Sequence, residues 1–388
     1  MKAFKFVLTL FVIWRIALFF VAFLSGYLIP KFGATFPYYN TVLMPTGLPN
    51  WIWGFGNFDG VHYLRLAQDG YVAKFSQSFF PVFPLLIKFL NILPKNLSLD
   101  VRTFVDPSYF YTGLIFSNLF FLGFLFLFYK LLRLDYSKKI TKLSLILLLV
   151  FPTSFYFGSI YTESLFLMLA VASIYSFRKK KYLLAGIFAA VSCATRIVGI
   201  FIPVIFLVEM FLNRKKTSAA EFVTQIVSLI LAPLGLIAYM FYLNRNFGDS
   251  LLFLNSQPGF GAGRSAQAYI FLPQVLYRYL KIFLSVRVAT LAFFNAALEF
   301  VFTLVPLSLL IVFFKRIRPS YLWFSLLALV LPTLTGTLSS MPRYVLVAFP
   351  LFPLLTGVGS KHCKYLIALM VVVQIILLSM FVRGYWVA

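Results

Sequence analysis

Acidic residues, histidines and cysteines are scarce in this chain of 388 residues. It contains ten Asp and Glu together, two His and two Cys. Cys193 lies in an apolar segment and Cys363 in a basic loop, which predicts neither a disulfide nor a metal site. Because acids are so few, a group of them in one polar loop is a candidate for chemistry rather than for solubility.

Several signatures of soluble enzymes are also missing. The sequence has no Gly-rich phosphate loop, no Ser-His-Asp order and no His/Cys/Asp spacing suited to a metal. We therefore predict no nucleotide-dependent chemistry, no metal and no other cofactor.

Apolar residues dominate what is present. Hydrophobic residues make up 62% of the chain and charged residues 11%, and apolar runs of membrane-spanning length recur. This composition predicts an all-α, polytopic integral membrane protein. The first run, residues 6–29, is long and uninterrupted and has no small-residue cleavage site, so we expect a retained helix rather than a signal peptide.

The formal net charge of +24 first suggests nucleic-acid binding, but the distribution of the basic residues argues against it. Short basic clusters, such as those within 133–142, 178–181 and 214–216, separate the apolar runs. Lys and Arg accumulate in this way in cytoplasmic loops, where they also attract anionic lipid. We predict membrane lipid as a partner and no nucleic acid.

The basic clusters set a topology with a cytoplasmic N-terminus. They predict about 11 transmembrane helices, among them helices at about 141–159 and about 344–359. They also predict a long first extracytoplasmic loop at 30–108 and a second one at 244–286. The apolar stretch 182–213 carries basic clusters at both ends, so it must cross the membrane and return. Thr195-Arg196 lies where this turn is expected, and broken helices of this kind usually border a cavity.

Five polar motifs fall on the extracytoplasmic face in this topology, and the inner loops carry no comparable motif. They are Asp59 with His62, Tyr161-Thr162-Glu163, Thr195-Arg196, Gly248-Asp249 with Arg264, and Ser339-Ser340-Met341-Pro342-Arg343. The topology does not depend on these motifs, so their coincidence on one face predicts a site at the outer membrane boundary.

A single carboxylate, several cations and a groove in the membrane suit the transfer of a group from a lipid phosphate to a hydroxyl. The carboxylate would take the proton of the acceptor as general base. The cations would stabilise the charge that develops on the leaving phosphate, and the apolar groove would hold the lipid tail.

The first outer loop contains Phe58-Asp59-Gly60-Val61-His62-Tyr63-Leu64-Arg65, followed by Gly70-Tyr71. This stretch resembles the first-loop signature of the phosphatidylinositol-glycan class V mannosyltransferases and their prokaryotic relatives, members of the GT-C superfamily of polyprenyl-phosphate-sugar glycosyltransferases. The family usually has Trp before the loop Asp, and Phe58 is a departure that affects packing more than chemistry. Further matches follow in the same order: Phe79-Phe80-Pro81-Val82-Phe83-Pro84-Leu85, Tyr161-Thr162-Glu163-Ser164-Leu165-Phe166, Leu184-Ala185-Gly186 leading to Thr195-Arg196, Phe247-Gly248-Asp249, and Met341-Pro342-Arg343-Tyr344.

The resemblance implies a GT-C-like transmembrane bundle that forms a single domain over residues 1–388. It implies an inverting, metal-independent transfer of a hexose, with mannose as the expected sugar, from a polyprenyl-phosphate donor to a hydroxyl of a glycolipid or another acceptor. The lipid-linked sugar is a co-substrate, and no cofactor is expected. By the logic of the superfamily, Asp59 matches the catalytic base. We expect a multi-pass protein of a prokaryotic cell membrane, or of the endoplasmic-reticulum membrane in a eukaryote, with an extracytoplasmic active site.

The candidate substrate-binding residues are His62, Tyr63, Glu163, Arg196, Arg264 and Arg343. His62 and Tyr63 share a helical face with Asp59, and His62 could contact substrate or orient Asp59 through a hydrogen bond. Glu163 begins a helix, where an acid also suits the helix dipole. For the arginines, contact with the donor phosphate competes with a structural partner, or, for Arg264, with simple solvation.

Other charged residues have structural interpretations. Asp59 could be only the N-cap of a helix over 60–68. Arg65 and Asp69 are spaced for an i,i+4 ion pair, which we favour over a role in the site. Arg15 and Glu299 fall midway along predicted helices, where each needs a partner; a structural pair is favoured over a contact with substrate.

Two other function classes compete with the enzyme. A transporter or flippase of a lipid-linked sugar would share the broken helices and the charges within the membrane. It needs binding groups that are reachable from both sides, whereas the motifs lie on one face and the sequence has no detectable inverted repeat. A non-catalytic scaffold would leave the Asp59 cluster without a purpose. The enzyme hypothesis therefore ranks first.

Overall fold

The computed structural model describes residues 2–33, 36, 39–92, 105–261, 263–266, 268–357 and 360–387. Residues 93–104 of the predicted first outer loop thus lie outside the described residues. Within the described ranges the regular structure is helical, and the single β-type pairing is a parallel bridge between Ile270 and Thr335. The prediction of an all-helical protein is confirmed.

The described residues form eighteen α-helices joined by turns and short 3-10 segments. In chain order they are α1 Lys2–Leu28, α2 Asn50–Trp53, α3 Asp59–Asp69, α4 Val82–Leu90, α5 Pro107–Leu132, α6 Lys138–Leu149, α7 Glu163–Arg178, α8 Tyr182–Cys193, α9 Ile202–Asn213, α10 Ala219–Leu231, α11 Leu234–Phe247, α12 Leu252–Asn255, α13 Leu272–Ser285, α14 Leu291–Val312, α15 Pro319–Thr333, α16 Met341–Tyr344, α17 Leu351–Leu355 and α18 Ser360–Val382.

Side-chain caps define where several of these helices begin. Asp106 accepts a hydrogen bond from the backbone N–H of Ser108 at the start of α5, and Ser137 accepts one from Ile140 at the start of α6. Ser218 and Thr290 cap α10 and α14 in the same way. Each cap satisfies one of the backbone donors that the first helical turn leaves without an intrahelical partner.

Six helical stretches in the described residues are long and apolar enough to cross a membrane. They are Lys2–Leu28, Pro107–Leu132, Ile197–Lys216, Ala219–Phe247, Leu291–Val312 and His362–Val382. Two shorter apolar helices, Tyr182–Cys193 and Pro319–Thr333, accompany them. The chain is therefore a multi-pass membrane protein, although the predicted total of about 11 spans is not confirmed.

Several predicted helices end earlier than expected, and prolines explain most of the differences. The helix expected at 344–359 is divided into α16, a 3-10 turn and α17, with Pro350 between the last two. The helix expected at 141–159 stops at Leu149, shortly before Pro152, and continues as a 3-10 turn. Proline removes a backbone donor and clashes with the preceding turn, so hydropathy alone overestimates the length of these helices.

The predicted break within 182–213 is present. Helix α8 ends at Cys193 and α9 begins at Ile202, with Thr195-Arg196 and a 3-10 turn between them. Gly199 fits this break because a Cβ at that position would lie 2.7 Å from backbone atoms of Cys193. The two arms are thus short helices joined by an irregular turn that carries a polar pair.

The described chain forms two compact units. The first unit contains residues 1–171 and 355–386, so the C-terminal helix α18 packs against α1. Its core is aromatic: the rings of Phe121 and Phe157 stack with centroids 4.6 Å apart, and Trp14 lies 4.7 Å from Phe121. The amide of Gln374 on α18 donates to the carbonyls of Leu149 and Phe151, each at 3.0 Å.

The second unit contains residues 172–354 with the last two residues. Helix α8 packs closely on α10 and α11, and a side chain at Gly235 would overlap the carbonyl of Ala190. Helices α13, α15 and α16 all contact α14. This arrangement brings the loop before α13 and the turn before α16 into one region of the unit.

A buried ion pair connects α9 to α15 in the second unit. Glu209, which is 2% exposed, accepts from Arg318 Nε at 2.5 Å and from Arg318 Nη2 at 2.7 Å. The hydroxyl of Ser320 donates to the same carboxylate at 2.6 Å. A carboxylate this deeply buried is tolerated because each of its oxygens has a hydrogen-bond donor.

We expect Arg318→Met to lower the free energy of unfolding by about 3–5 kcal/mol, because it leaves the Glu209 carboxylate buried without its cation. Thermal unfolding of the purified protein in detergent measures the change. Arg316→Met is the matched control because Arg316 is exposed. Equal destabilisation by the two variants would contradict a structural role for the Glu209–Arg318 pair.

Candidate active site

The candidate base Asp59 follows a turn that is fixed by the buried side chain of Asn57. Asn57 is 0% exposed, and its Nδ2 donates to the carbonyls of Phe381 at 2.8 Å and Val382 at 3.2 Å. The hydroxyl of Tyr161 donates to the backbone carbonyl of Asn57 at 2.8 Å. Two distant parts of the first unit therefore hold the residue two positions before Asp59.

Phe58 joins this turn to α3 with an unusual backbone conformation. Its φ of 59° and ψ of −113° are rarely adopted by a residue with a side chain. The ring is enclosed by aromatic neighbours, with centroids 4.6 Å from Phe36 and 5.1 Å from Trp386. Strained backbone of this kind persists only where packing enforces it, and it concentrates at functional sites.

Asp59 is the first residue of α3 and is half-buried. The helix begins at Asp59 and Phe58 occupies the N-cap position, so Asp59 lies in the first turn rather than at the N-cap. A carboxylate in the first turn is stabilised by the positive end of the helix dipole.

His62 and Tyr63 lie one turn further along α3, on the face that carries Asp59, as predicted. The imidazole of His62 stacks on Phe79 with centroids 5.0 Å apart, and Tyr63 meets the same ring edge-on at 5.1 Å. Burial lowers the pKa of His62, and the negative charge of the nearby Asp59 offsets only part of this decrease. The imidazole is therefore neutral at pH 7.

The motif residues Gly70 and Tyr71 end α3 and help to position the ring on which His62 stacks. Gly70 has a φ of 76° and ends the helix, a conformation that costs glycine little. The Tyr71 hydroxyl then donates to the carbonyl of Phe79 at 2.7 Å, which fixes the ring on which His62 stacks. Arg65 and Asp69 form the predicted i,i+4 ion pair, with Nε and Oδ2 3.8 Å apart.

Glu163 begins α7, as predicted, and is 1% exposed. The residues before it lie against the Asp59 turn: the N–H of Ile160 donates to the carbonyl of Phe55 at 2.9 Å. A Cβ on Gly60 would lie 3.5 Å from the carbonyl oxygen of Ile160, so the start of α3 and this segment approach closely. The first unit thus brings the segment before Glu163 beside the turn that precedes Asp59.

Arg196 and Arg343, two of the three predicted phosphate ligands, meet at one tyrosine in the second unit. Their guanidinium carbons lie 5.5 Å and 5.4 Å from the centre of the Tyr344 ring. Arg343 is 7% exposed, and Arg196 is half-buried at the break between α8 and α9. A ring with cations this close offers each of them a cation–π interaction and keeps positive charge concentrated around it.

Arg264, the third predicted phosphate ligand, belongs to the loop before α13. Its Nη1 donates to Gln257 Oε1 at 3.1 Å and its Nη2 to Ser340 Oγ at 3.5 Å. Arg264 is therefore ordered by side-chain contacts rather than merely solvated. The neighbouring motif residue Asp249 has a local role, because its carboxylate accepts from Leu251 N–H and from Asn255 Nδ2.

The two buried charges predicted to need partners have different surroundings. The guanidinium of Arg15 lies over the rings of Phe19 and Phe55, at 4.0 Å and 4.3 Å from their centres. Its terminal nitrogens have no hydrogen-bond partner among the described residues. Glu299 instead accepts a hydrogen bond from the hydroxyl of Tyr279. Arg15 is therefore stabilised by cation–π contacts and Glu299 by a tyrosine hydroxyl. The predicted pairing of Arg15 with Glu299 is not seen.

Sequence reasoning assigned no role to three residues that the structure makes prominent: Asn57, Tyr279 and Tyr344. Asn57 has a weak signal, since it is a polar residue directly before the motif in an apolar surrounding. Tyr279 acts through contacts with Glu299 and Leu338, which are far from it in the chain and leave no local pattern. Tyr344 belongs to a matched motif, but its contact with the distant Arg196 cannot be read from the sequence. Among the described residues, no group of three or more His, Cys, Asp or Glu is placed to hold a metal ion.

We expect the stability of the wild-type protein to fall more steeply with acidification than that of His62→Phe. The folded pKa of His62 lies below the unfolded value of about 6.5, so protonation favours the unfolded state. The stability present above this value is lost as the pH falls through the folded pKa. Thermal unfolding between about pH 7.5 and 5 measures the slope, and Phe preserves stacking on Phe79. Parallel slopes would contradict a buried, neutral imidazole.

Comparison with known proteins gives one family match and a distant structural likeness. The family model described as Mannosyltransferase (PIG-V) matches residues 4–258. Among proteins of curated function, no match is found.

The Archaeoglobus fulgidus oligosaccharyltransferase in its apo form aligns with a TM-score of 0.48 and 14% identity, covering 97% of this chain and 56% of that chain. The same protein in complex with Zn and sulfate aligns with a TM-score of 0.44 and 14% identity, covering 95% and 53%. The present chain thus spans about half the length of these solved structures, and neither likeness supports an inference about function.

Proposed function

The chain belongs to the Mannosyltransferase (PIG-V) family, and we propose that it transfers a hexose, with mannose the first choice, from a polyprenyl phosphate to a hydroxyl group. The family makes it a membrane glycosyltransferase. The donor, the inverting course of the reaction and the extracytoplasmic location of the site belong to the proposal. A glycolipid is the favoured acceptor, and we assign no metal or other cofactor to the reaction.

The placement of Asp59 is the observation that supports this proposal most directly. Its carboxylate is half-buried at the positive end of α3, directly after a strained residue and a turn held by a fully buried amide. Rigid placement of one carboxylate is what general-base catalysis needs, because the base must meet the acceptor hydroxyl at hydrogen-bond distance.

In the proposed reaction, Asp59 removes the proton of the acceptor hydroxyl as its oxygen attacks the anomeric carbon of the sugar. The new glycosidic C–O bond forms on the face opposite the phosphate, and the old C–O bond breaks. Polyprenyl phosphate leaves with the electron pair of that bond, and the sugar configuration is inverted. Since the hydroxyl is a poor nucleophile until its proton leaves, the base accelerates the step.

We assign supporting roles to the other residues of the first unit. The neutral His62 is suited to orient Asp59 or to contact a sugar hydroxyl, because one of its ring nitrogens donates and the other accepts. Tyr63 and the buried Glu163 are candidates for sugar contacts.

The arginines of the second unit are the proposed ligands of the donor phosphate. They are Arg196, Arg264 and Arg343, and their positive charge would stabilise the leaving group.

We expect Asp59→Asn to lower the rate of transfer by about 10²–10⁴-fold, which is the usual contribution of a general base. The assay measures transfer of radiolabelled mannose from polyprenyl-phosphate-mannose to lipid acceptors in membranes that contain either protein, with and without EDTA. Asp69→Asn is the matched control, because Asp69 ends the same helix in an exposed position.

Equal transfer by wild type and by a well-expressed Asp59→Asn variant would overturn the role of Asp59. Loss of wild-type transfer in EDTA would overturn the metal-independent mechanism. Movement of the labelled donor across sealed vesicles without any transfer would support the transporter hypothesis instead.

We expect Arg343→Met to raise the KM for the donor by about 10–100-fold, which corresponds to the loss of one charge-assisted hydrogen bond to phosphate. Initial rates at varied donor concentration measure this change. Arg287→Met is the control because Arg287 is exposed. An unchanged donor KM in Arg343→Met would exclude Arg343 as a phosphate ligand.

A further inference from the structure

The turn between α15 and α16 adopts a conformation that its neighbours must hold. Gly336 has a φ of 90° and Ser340 a φ of 70°, and Ser340 is 0% exposed. A serine in the left-handed region is strained relative to the usual helical or extended conformations. The turn begins after Thr333 and ends at Met341, where α16 carries Arg343.

A buried tyrosine–glutamate pair fixes the middle of this turn. Tyr279 on α13 and Glu299 on α14 are 5% and 8% exposed, and the Tyr279 hydroxyl donates to the Glu299 carboxylate. The same hydroxyl accepts the backbone N–H of Leu338 at 3.1 Å. Burial, reinforced by Glu299, raises the pKa of Tyr279, so the hydroxyl keeps the proton that it donates.

The loop that carries Arg264 is attached to the same turn. The N–H of Ser265 donates to the carbonyl of Thr335 at 2.8 Å, and that of Ile270 donates to Leu334 at 3.0 Å. Arg278, next to Tyr279 on α13, donates to the carbonyl of Gly336 at 3.0 Å. The loop before α13 and the turn before α16 therefore form one hydrogen-bonded body.

Arg264 and Arg343 both depend on this hydrogen-bonded body for their positions. Arg264 reaches Ser340 Oγ, and the backbone N–H groups of Arg343 and Tyr344 both donate to the carbonyl of Ser340 at 3.0 Å. A shift of the turn would therefore displace Arg264 and Arg343 together. Charge-assisted hydrogen bonds to a phosphate are short and directional, so such a displacement weakens them.

We propose that Tyr279 and Glu299 are positioning residues that hold the turn at 334–340 and thereby place Arg264 and Arg343 for a polyprenyl phosphate group. This inference rests on the proposed function for the identity of the ligand. Neither residue contacts the substrate: the pair acts through the backbone of Leu338. This role also explains why an acid, Glu299, lies midway along the membrane-spanning helix α14.

The test uses the full-length protein in detergent and two readouts, neither of which needs catalysis. The first is binding of polyprenyl phosphate, and the second is hydrogen–deuterium exchange of the amides of Ser265, Ile270 and Leu338. Tyr279→Phe keeps the ring and removes the hydroxyl. We expect it to weaken binding by about tenfold or more and to speed exchange at these amides.

Two further variants separate positioning from general stability. Glu299→Gln retains an acceptor for the Tyr279 hydroxyl and should bind polyprenyl phosphate like wild type, whereas Glu299→Leu should resemble Tyr279→Phe. Tyr277→Phe is the matched control, because Tyr277 lies on the same helix and is 59% exposed. A purely structural role would lower the unfolding temperature without changing affinity in the folded protein.

The outcomes separate this inference from the proposed function. Unchanged binding by folded Tyr279→Phe, or faster exchange with unchanged binding, would overturn the inference even if the wild type transfers sugar. If the wild-type protein binds polyprenyl phosphate, loses this binding in Tyr279→Phe, and transfers no sugar, the proposed function is overturned and the inference stands. Wild-type protein that does not bind polyprenyl phosphate would overturn both.

Discussion

The candidate site depends on one buried side chain, the amide of Asn57. The Nδ2 donor of this amide must keep its hydrogen bonds, because a buried donor left unsatisfied costs about 1–3 kcal/mol. Its Nδ2 is satisfied by carbonyls at the end of α18, and Tyr161 bonds to its backbone. These contacts leave the following residue, Phe58, little freedom, so its strained conformation and the start of α3 at Asp59 follow from them.

This anchoring makes the position of the proposed base depend on the assembly of the first unit. Asn57 and Phe381 are 324 positions apart in the chain, so the contacts that hold the turn exist only in the assembled unit, in which α18 packs against α1. The aromatic core and Gln374, which fixes α18 to the end of α6, therefore contribute to the geometry at Asp59. The second unit shows the same design, in which long-range hydrogen bonds hold the segments that carry Arg264 and Arg343.

Hydropathy and charge were sufficient to predict the membrane class, the long spans and the broken segment at Thr195-Arg196. Local spacing was sufficient for the shared face of Asp59 and His62 and for the Arg65–Asp69 pair. Both kinds of signal fail where proline interrupts an apolar run or where tertiary contacts decide the partner of a side chain. Proline divides the helix expected at 344–359, and the partner of Glu299 is a tyrosine on another helix, which no periodicity reveals. The family resemblance located motif residues, whereas the contacts that orient them emerge only in three dimensions.

The central claim is that the Asn57 turn holds Asp59 in the position of a catalytic base. The most direct test is the kcat of sugar transfer by purified Asn57→Ala, with unfolding temperature and polyprenyl phosphate binding measured on the same sample. We predict a fall in kcat of about 10²-fold, as expected when a catalytic group is misplaced by roughly 1 Å, with binding retained. A folded Asn57→Ala protein that binds donor and transfers sugar at the wild-type rate would contradict the account.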